Sequence, residues 1–368
     1  MAKAQETVLE LNLNSLSHNF EYLKSKLKPS TKFLGVVKAF AYGSDAVVVA
    51  KHLEKLGVDY FAVAYVNEGI VLRENGVTTP ILVLHPQPIN FKALIEHCLE
   101  PSLYNAKVLN EFIETATKQG QKDYPVHIKF NTGLNRLGFS ENDIPFIINK
   151  LKSTKCVKAK SVFSHLVASE DLDEKEFTEN QIKKFISIAE RFADLIGYKP
   201  WLHLCNTSGL LNYPNAHFDM VRCGIGLYGF GNSFKEDKNL IPIASLKSVI
   251  SQIHNIEKGE SVGYNRSYRA SKSERIATIP IGHADGISRI YGQGKGFVSI
   301  NGKSAPIAGN VCMDMLMVNI TNIECKEGDE VIVFGQENSA SNLAESAGTI
   351  SYEILTAISS RVRRTFTK

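Results

Sequence analysis

The sequence has 368 residues, of which 43% are hydrophobic, and a formal net charge of +4 at pH 7. This length and composition are typical of one large or two medium packed domains. Basic residues form no cluster beyond the tail of residues 361–364, which we expect to be a solvated helix end. Neither nucleic acid nor a membrane surface is therefore an expected partner.

Cysteine spacing and hydropathy restrict the class of protein further. The six cysteines are scattered, with no pair at zinc-ligand or redox spacing, so we expect reduced thiols and no metal site. The amino-terminal residues lack the uninterrupted apolar core of a secretion signal. No apolar stretch approaches the roughly 20 residues that a membrane helix needs. The sequence therefore predicts a soluble cytoplasmic protein.

The first predicted strand lies within residues 1–10, where apolar and polar side chains begin to alternate, and we expect it to join a β domain. Residues 33–37 are apolar on both faces, the pattern of a parallel strand covered by helices, and this run stops at Lys38. In parallel α/β folds the carboxyl ends of the strands carry the chemistry. A desolvated lysine there finds a counter-charge or loses its proton and becomes a nucleophile, although an isolated lysine more often extends to water.

Short apolar runs then alternate with segments of helical period, which predict helices at residues 67–75, 106–119 and 174–196. Eight alternations of this kind predict a (β/α)8 TIM-type barrel over residues 11–238. The eight predicted strands are residues 33–37, 61–64, 81–84, 99–103, 126–130, 161–163, 202–205 and 219–221.

The pattern changes near residue 240, where short strands are separated by turns rich in Gly and Asn. We therefore predict a mostly-β carboxy-terminal domain over residues 239–368, joined to the barrel through the polar loop 231–238. One helix, residues 342–359, is predicted to close the chain. The predicted strands of this domain are residues 249–253, 275–279, 297–300, 316–320 and 330–334.

Polar residues recur where the predicted barrel strands end. Taken singly, His165 is more often a core histidine and Arg222 a structural ion pair, but a shared location at one face favours a functional site. The residues at this face are Lys38, Tyr42, Arg136, His165, Thr207, Arg222, Gly224 and Ile225.

Two loops after the last two barrel strands form a predicted anion site. They supply the hydroxyl of Thr207 and the backbone amides of Gly224 and Ile225, which suit a phosphate group. A Gly-x-Gly sequence alone would predict only a tight turn. Together with Lys38 on the first barrel strand, the anion site favours a phosphate-bearing aldehyde cofactor bound as a Schiff base.

Seven motifs in one order give the sequence a specific resemblance. The sequence resembles the alanine racemase family of pyridoxal-phosphate enzymes of fold type III, over nearly the whole chain. The resemblance implies pyridoxal 5'-phosphate as cofactor and the interconversion of L-alanine and D-alanine, which supplies D-alanine for peptidoglycan. The matching motifs are residues 36–43, 129–139, 222–229, 262–264, 284–286, 311–314 and 350–353.

The resemblance implies a role for each matching residue. Lys38 would hold the cofactor covalently, and Arg222 would face its pyridine nitrogen. Arg136 would reach the phenolic oxygen and the substrate carboxylate, with Lys129 nearby, which is carbamylated in some members. The residues implied to bind the phosphate are Tyr42, Thr207, Gly224, Ile225 and Tyr352.

The family also implies a homodimer whose active site is shared across the interface. Tyr264, Met313 and Asp314 would come from the β domain of the other subunit, and His165 would hydrogen-bond Tyr264. His283 stands where the family has a tyrosine at the substrate entrance, which puts substrate selectivity in question. The other departures from the family motifs are Phe40, Ser44, Asp45, Asn131, Leu134, Asn135 and Met315.

Racemisation requires removal of a proton from one face of Cα and delivery to the other, and a base on each face is the simplest arrangement. We expect Lys38 and Tyr264 to be these bases, each with a depressed pKa. Arg222 cannot accept a proton and would leave the pyridine nitrogen unprotonated, which favours racemisation over transamination. The alternatives are a racemase of another small amino acid such as serine, a decarboxylase of the same fold, a non-catalytic cofactor carrier and a barrel hydrolase with paired carboxylates.

Overall fold

The computed structural model describes residues 4–336 and 338–368. The chain divides into two compact units. The barrel unit comprises Ser17–Ala41 and Ala46–Leu240. The β unit comprises the described residues up to Leu16, the segment Tyr42–Asp45 and the segment Ile241–Lys368.

Strands and helices alternate along the barrel unit, whereas strands predominate in the β unit. The strands are β1 (Val8–Asn12), β2 (Lys32–Val36), β3 (Tyr60–Val63), β4 (Ile81–Val83), β5 (Glu100–Leu103), β6 (Tyr124–Lys129), β7 (Val157–Phe163), β8 (Trp201–His203), β9 (Met220–Cys223), β10 (Ala244–Val249), β11 (Gln252–Ile256), β12 (Ser261–Val262), β13 (Tyr268–Arg269), β14 (Glu274–Ile279), β15 (Phe297–Ile300), β16 (Lys303–Pro306), β17 (Leu316–Asn319), β18 (Glu330–Phe334) and β19 (Arg363–Thr367). The helices are α1 (Leu13–Ser25), α2 (Lys38–Tyr42), α3 (Ala46–Lys55), α4 (Val66–Glu74), α5 (Phe91–Glu96), α6 (Ala106–Lys118), α7 (Ile144–Lys152), α8 (Lys175–Ile196), α9 (Thr207–Asn212), α10 (Phe234–Asp237), α11 (Ala340–Ser346) and α12 (Ser351–Ala357).

The barrel unit contains a sheet of parallel strands in the order β8-β7-β6-β5-β4-β3-β2-β9. Backbone hydrogen bonds also join the two ends of this order, from Asp219 N to Leu202 O at 3.1 Å and from Arg222 N to Cys205 O at 3.0 Å. The sheet is thus nearly closed. The predicted (β/α)8 barrel is confirmed.

Burial explains why these segments form strands and covering helices. Every residue of β3 and β4 is buried, as expected where helices cover one face of a sheet and the barrel interior fills the other. Helix α8 buries Phe185, Ile188 and Phe192 along one stripe. It ends at Gly197, whose φ of 91° is the left-handed conformation in which glycine is favoured.

The β unit is built on a six-stranded sheet in the order β16-β15-β18-β10-β1-β19, beside a three-stranded sheet in the order β11-β14-β17. Strand β1 is antiparallel to β10 and parallel to β19. The side chains of Leu246, Val298 and Val331 are fully buried in this unit. The mostly-β character predicted for this part of the chain is confirmed.

Two predicted elements of the β unit are wrong in detail. The predicted strand 249–253 spans the end of β10 and the start of β11, because the chain passes there from one sheet to the other. The amide of Ile250 donates to Asp329 O at 3.0 Å, whereas that of Ser251 donates to Thr278 O at 2.9 Å. The segment predicted as one strand thus crosses from the six-stranded sheet to the three-stranded sheet.

The predicted helix 342–359 is two helices, α11 and α12. Gly348 has a φ of 67°, and its amide donates to Glu345 O at 3.1 Å. The amide of Thr349 donates to Ala344 O at 3.0 Å. These two bonds form a Schellman motif, which caps the carbonyl groups at the end of α11 and stops the helix.

The carboxy-terminal arginines are not a solvated helix end, because β19 is a strand. The guanidinium of Arg364 donates to the carbonyl oxygens of Gly43 at 2.9 Å and Ile358 at 2.8 Å. The predicted loop 231–238 contains the short helix α10, whose cap is the Ser233 hydroxyl. Among the described residues, no helix is both long and apolar enough to span a membrane.

Candidate active site

Lys38 follows β2 and opens a turn of unusual handedness. Ala39, Phe40 and Ala41 have φ values of 52°, 56° and 52°, so α2 is a left-handed turn. This conformation costs an L-residue roughly 1–2 kcal/mol. The carboxylate of Glu68 accepts the amide of Ala39 at 2.6 Å and that of Ala64 at 2.7 Å, and so fixes the start of the turn beside α4.

The Lys38 amine is partly desolvated in a cationic environment. Burial lowers the pKa of Lys38 below its usual value, and Arg136 lowers it further, while Glu68 opposes the shift. A lowered pKa increases the fraction of neutral amine at a given pH. Lys38 is thus suited to act as a nucleophile or as a base.

Lys129 stands at the carboxyl end of β6 and is buried. Burial, and then repulsion from Arg222, Arg136 and Lys38, lower its pKa to about 8. These four side chains concentrate positive charge at one end of the barrel unit. Such a site favours an anionic ligand.

The loop that carries Arg136 has a fixed shape. The Asn131 side chain accepts the amides of Gly133 at 3.1 Å and Asn135 at 3.0 Å. A Cβ atom on Gly138 would lie 2.5 Å from Asn131 N, so this position requires glycine. The Asn131 side chain thereby fixes the shape of the loop that carries Arg136.

Arg222 lies on β9 and is buried, with both terminal nitrogens of its guanidinium hydrogen-bonded. Nη1 donates to His203 Nδ1 at 2.8 Å. The two hydrogens of Nη2 are shared among three acceptors, Ser164 O at 2.7 Å, Leu204 O at 3.0 Å and His165 Nδ1 at 3.1 Å. Within the described part of the chain, Nε is the nitrogen of this group without a recorded acceptor. Burial, and then Arg222, lower the pKa of His165 well below its usual value. His165 is therefore neutral, with its proton on Nε2.

The predicted anion site is formed by α9 and the turn after β9. Thr207 Oγ1 accepts the amides of Gly224 and Gly226, each at 3.3 Å. A Cβ atom on Gly226 would lie 2.6 Å from Thr207 Cγ2, so only glycine permits this close approach. Ile225 opens the short 3-10 helix that completes the turn. Because Thr207 Oγ1 accepts these two amides, its own proton, together with the amide of Ile225, is a donor of the kind that a phosphate requires.

Tyr42 and Tyr352 meet in the β unit, with ring centroids 6.0 Å apart and planes inclined by 50°. Close packing of the backbone holds Tyr42 there, since a Cβ atom on Gly43 would lie 2.0 Å from Leu355 O. The Arg364 guanidinium also anchors this segment through Gly43 O. Two phenols predicted to bind one phosphate are thereby adjacent.

Tyr264, Met313 and Asp314 line one concave surface of the β unit, with a volume of about 570 Å³. Tyr264 is 69% exposed and Met313 is 59% exposed. The Asp314 carboxylate pairs with Arg361 at 2.7 Å. Tyr264 and His165 belong to different units, so the hydrogen bond expected between them stays a prediction. His283 is exposed beside this surface, and its amide donates to Cys312 O at 2.9 Å.

Family models match both parts of the chain. The model of the alanine racemase N-terminal domain matches residues 11–231, and that of the C-terminal domain matches residues 243–366. The chain belongs to the alanine racemase family. This agrees with the resemblance seen in the sequence motifs, and a chain of this family is expected to fold as a barrel with a following β domain.

Individual alanine racemases match over the full length. The alanine racemase of Thermodesulfovibrio yellowstonii is 40% identical over 365 residues, 97% of this chain and 96% of the relative. That of Clostridium perfringens SM101 is 37% identical and covers 98% of this chain and 95% of the relative. The solved alanine racemase of Clostridium difficile 630 has 36% identity, a TM-score of 0.92 and coverage of 100% and 97%. That of Bacillus anthracis with bound L-Ala-P has 30% identity, a TM-score of 0.92 and coverage of 100% and 96%.

In this member of the alanine racemase family, the sequence reasoning missed Glu68 and His203, which contact the candidate site residues. Glu68 anchors the turn after Lys38, and His203 accepts from Arg222. The signal for His203 was present, because a histidine interrupts the apolar run 202–205. Glu68 gave no such signal, because an acidic residue in the first turn of a helix is common.

Proposed function

We propose that the chain is an alanine racemase that uses pyridoxal 5'-phosphate to interconvert L-alanine and D-alanine. The observation that carries this proposal is the partly desolvated Lys38 amine in a cationic cluster with Arg136, Lys129 and Arg222. Membership of the alanine racemase family supports the same reaction. When bound, the cofactor would withdraw electrons from the substrate Cα and so acidify its proton.

The residues present fit this cofactor at both of its ends. Thr207 Oγ1 accepts two amides, which leaves its own proton to donate to a phosphate oxygen. The amide of Ile225 and the phenols of Tyr42 and Tyr352 would supply further donors, and the Gly224 amide, which donates to Thr207 Oγ1, would be shared between that hydroxyl and the phosphate. At the other end, the ring nitrogen would be matched by Arg222 Nε, which has no recorded acceptor among the described residues.

Two proton-transferring groups are assigned. The Lys38 amine would take the Cα proton from one face of the substrate, since its lowered pKa makes the neutral amine accessible. The Tyr264 phenol, or its phenolate, would act on the opposite face. Its high exposure on the β unit suits a residue whose target belongs to another chain.

Arg222 would restrict the reaction to racemisation. Burial lowers its pKa to about 10, which still leaves the guanidinium charged at neutral pH. It would therefore donate to the pyridine nitrogen and could not be a proton acceptor. By leaving that nitrogen unprotonated, Arg222 would favour prompt return of the proton to Cα over transamination.

Arg136 would bind the substrate carboxylate and the cofactor's phenolic oxygen, with Lys129 beside it. Met313 and Asp314 would complete the substrate pocket from the β unit of a second subunit. We therefore propose a homodimer with shared sites, consistent with the exposed surface around Tyr264. Alanine is the proposed substrate, and His283 is the reason to include serine in a substrate panel.

We also propose that residues 11–238 form the cofactor-binding domain and that residues 1–10 join residues 239–368 in the β domain. The pairing of β1 with β10 and β19 supports this division. So do the two family models, one ending at residue 231 and the other beginning at residue 243.

The decisive experiment follows the optical rotation of L-alanine and D-alanine with purified protein and added pyridoxal 5'-phosphate. Lys38→Ala should abolish cofactor attachment and nearly all racemisation. Lys51→Ala, at an exposed lysine of α3, is the matched control and should behave as wild type. A Lys38→Ala protein with wild-type turnover would refute the proposed function.

The shared site has its own test. Lys38→Ala and Tyr264→Phe would be co-expressed with different tags and the heterodimer isolated. One of its two sites would regain both wild-type residues, so its activity should exceed the mean of the two parent homodimers. Activity no higher than that mean would assign Tyr264 to the site of its own chain.

A further inference from the structure

Side chains inside the barrel unit form a hydrogen-bonded chain that begins at Arg222. Beyond the 2.8 Å bond to His203, His203 Nε2 lies 2.8 Å from Ser161 Oγ, and Ser161 Oγ lies 2.6 Å from His127 Nδ1. His127 Nε2 lies 2.7 Å from Glu100 Oε2. His127, Ser161 and His203 are completely buried. We name Arg222, His203, Ser161, His127 and Glu100 the barrel chain.

The proton positions between Arg222 and Ser161 follow from Arg222, because a guanidinium can only donate hydrogen bonds. Nδ1 of His203 must therefore be an acceptor without a proton. Burial lowers the pKa of His203 well below its usual value, so the neutral ring carries its proton on Nε2. His203 consequently donates to Ser161 Oγ.

The proton positions between Ser161 and Glu100 follow from Glu100, at the other end of the barrel chain. Burial alone would raise the pKa of Glu100, but the hydrogen bond from His127, the positive charge of a protonated His127 and the charge of Lys160 hold it below its usual value. The carboxylate also accepts from Tyr60 at 2.7 Å and Lys160 at 3.0 Å. As an anion it can only accept, so His127 donates through Nε2. Ser161 Oγ already accepts from His203, so its own proton is the one available for the 2.6 Å bond to His127 Nδ1, which is then the acceptor.

Every donor in the barrel chain thus faces an acceptor, and every bond runs from Arg222 towards Glu100. Reversing one ring would place two donors or two acceptors against each other in a buried site. The ring of Phe163 is stacked on His203 with centroids 4.6 Å apart and so fixes the plane of the imidazole. The hydrogen bonds to Arg222 and Ser161 select the flip of the ring in which Nδ1 faces Arg222.

We propose that Ser161, His127 and Glu100 are positioning residues, which fix the His203 ring so that Arg222 keeps Nε–H directed at the cofactor's pyridine nitrogen. This inference rests on the proposed use of pyridoxal 5'-phosphate. Glu100 would act through four successive hydrogen bonds and would not touch the cofactor. Nothing in the assigned reaction otherwise requires a carboxylate inside the barrel.

The first test compares the binding of two ligands to the cofactor-free protein: pyridoxal 5'-phosphate and its 1-deaza analogue, which has carbon in place of the pyridine nitrogen. Wild type should prefer the natural cofactor by at least about tenfold, as a charge-assisted hydrogen bond allows. Ser161→Ala should lose most of this preference by weakening only the natural cofactor. Glu100→Gln, which removes the charge that orients the chain, should lower the preference in the same direction.

Ser102→Ala is the matched control. Ser102 is also completely buried on a barrel strand, and among the described residues its hydroxyl has no hydrogen-bond partner. Its replacement should leave the preference between the two ligands unchanged. A purely structural role of Ser161 would weaken both ligands equally and leave their ratio at the wild-type value, which would overturn the inference.

A second measurement needs no cofactor. Long-range ¹⁵N–¹H spectra of histidine-labelled protein report which ring nitrogen is protonated. His203 and His127 should both show a proton on Nε2 alone, and a proton on Nδ1 of either ring would overturn the inference. If wild type binds neither ligand, or binds both with equal affinity, the proposed function is refuted as well. If wild type and Ser161→Ala both prefer the natural cofactor over its 1-deaza analogue by the same factor, only the positioning role is refuted.

Discussion

The rings of Tyr42 and Tyr352 lie with centroids 6.0 Å apart, although the two residues come from opposite ends of the chain. The contact depends on the tight backbone around Gly43 and on the anchoring of that segment by Arg364. The two phenols that we propose as donors to one phosphate are therefore coupled, because each ring helps to hold the other in position.

We expect Tyr42→Phe and Tyr352→Phe each to weaken cofactor binding by about tenfold, the loss of one charge-assisted hydrogen bond. The double variant should lose less than the product of the two single effects, since the coupled residues share one role. Equilibrium dialysis of cofactor-free protein measures both. Tyr65→Phe, at an exposed tyrosine of the barrel unit, should bind as wild type does.

Lys129 should make stability depend on pH. Burial lowers its pKa from 10.5 to about 8, so between these values the unfolded chain binds more protons and stability rises with pH. Below about pH 8 the folded state carries the full cost of the buried charge, roughly 3 kcal/mol from the size of the shift. Lys129→Met removes this titration.

The measurement is urea unfolding of both proteins without cofactor, in buffer free of carbon dioxide, because carbamylation would also stop the titration. The free energy of unfolding of wild type, relative to Lys129→Met, should rise from about pH 8 to about pH 10. If the free energies of unfolding of wild type and Lys129→Met differ by the same amount at both pH values, Lys129 does not titrate in this range.

Glu68→Gln should have two effects. The amide has one accepting oxygen where the carboxylate has two, so one backbone amide at the turn loses its partner and stability falls by about 1–3 kcal/mol. Glu68 raises the pKa of Lys38, so its neutralisation should lower that pKa. Since we propose that the deprotonated Lys38 amine is a base, the acid limb of the pH–rate profile should move to lower pH.

Glu74→Gln, near the end of the same helix α4, is the control for helix content and net charge. It should change neither the unfolding midpoint nor the acid limb. A Glu68→Gln protein whose acid limb moves to higher pH would contradict the assignment of Lys38 as the base on that limb.

Arg361 connects Asp285 at 2.6 Å with Asp314 at 2.7 Å. The Asp285 side chain is buried, so Arg361→Gln leaves an uncompensated carboxylate and should lower the melting temperature. It should also raise the KM for alanine, because Asp314 adjoins Met313. Arg363→Gln, which loses only an exposed pair with Glu6, should change both quantities less.

The sequence predicted the barrel because its strands are buried on both faces and its helices carry one apolar stripe, and both patterns are visible in local order. It failed where the outcome depends on distant partners. Residues 249–253 look like one strand, yet the change of sheet after β10 is set by Asp329 and Thr278. Gly348 could have indicated the end of α11, but an isolated glycine inside a helical pattern is often tolerated.

In the candidate site, too, the sequence predicted the residues that local patterns mark and missed those whose role depends on distant partners. Lys38, Arg136 and Arg222 were predicted because motifs and strand ends mark them. His127 and Glu100 were not, since their meaning arises only when β5, β6, β7 and β8 lie side by side. A polar residue inside an apolar strand signals that a partner exists, but its spacing in the sequence does not identify that partner.

The position of β1 has a consequence for biosynthesis. This strand lies between β10 and β19, and Val8 pairs with Lys247 on one side and Arg363 on the other. It leaves the ribosome before either partner has been made, whereas all the barrel strands have been made before β10 emerges. A nascent chain stalled ahead of residue 363 would carry a full set of barrel strands and a β1 with one unpaired edge, the kind of surface that chaperones shield.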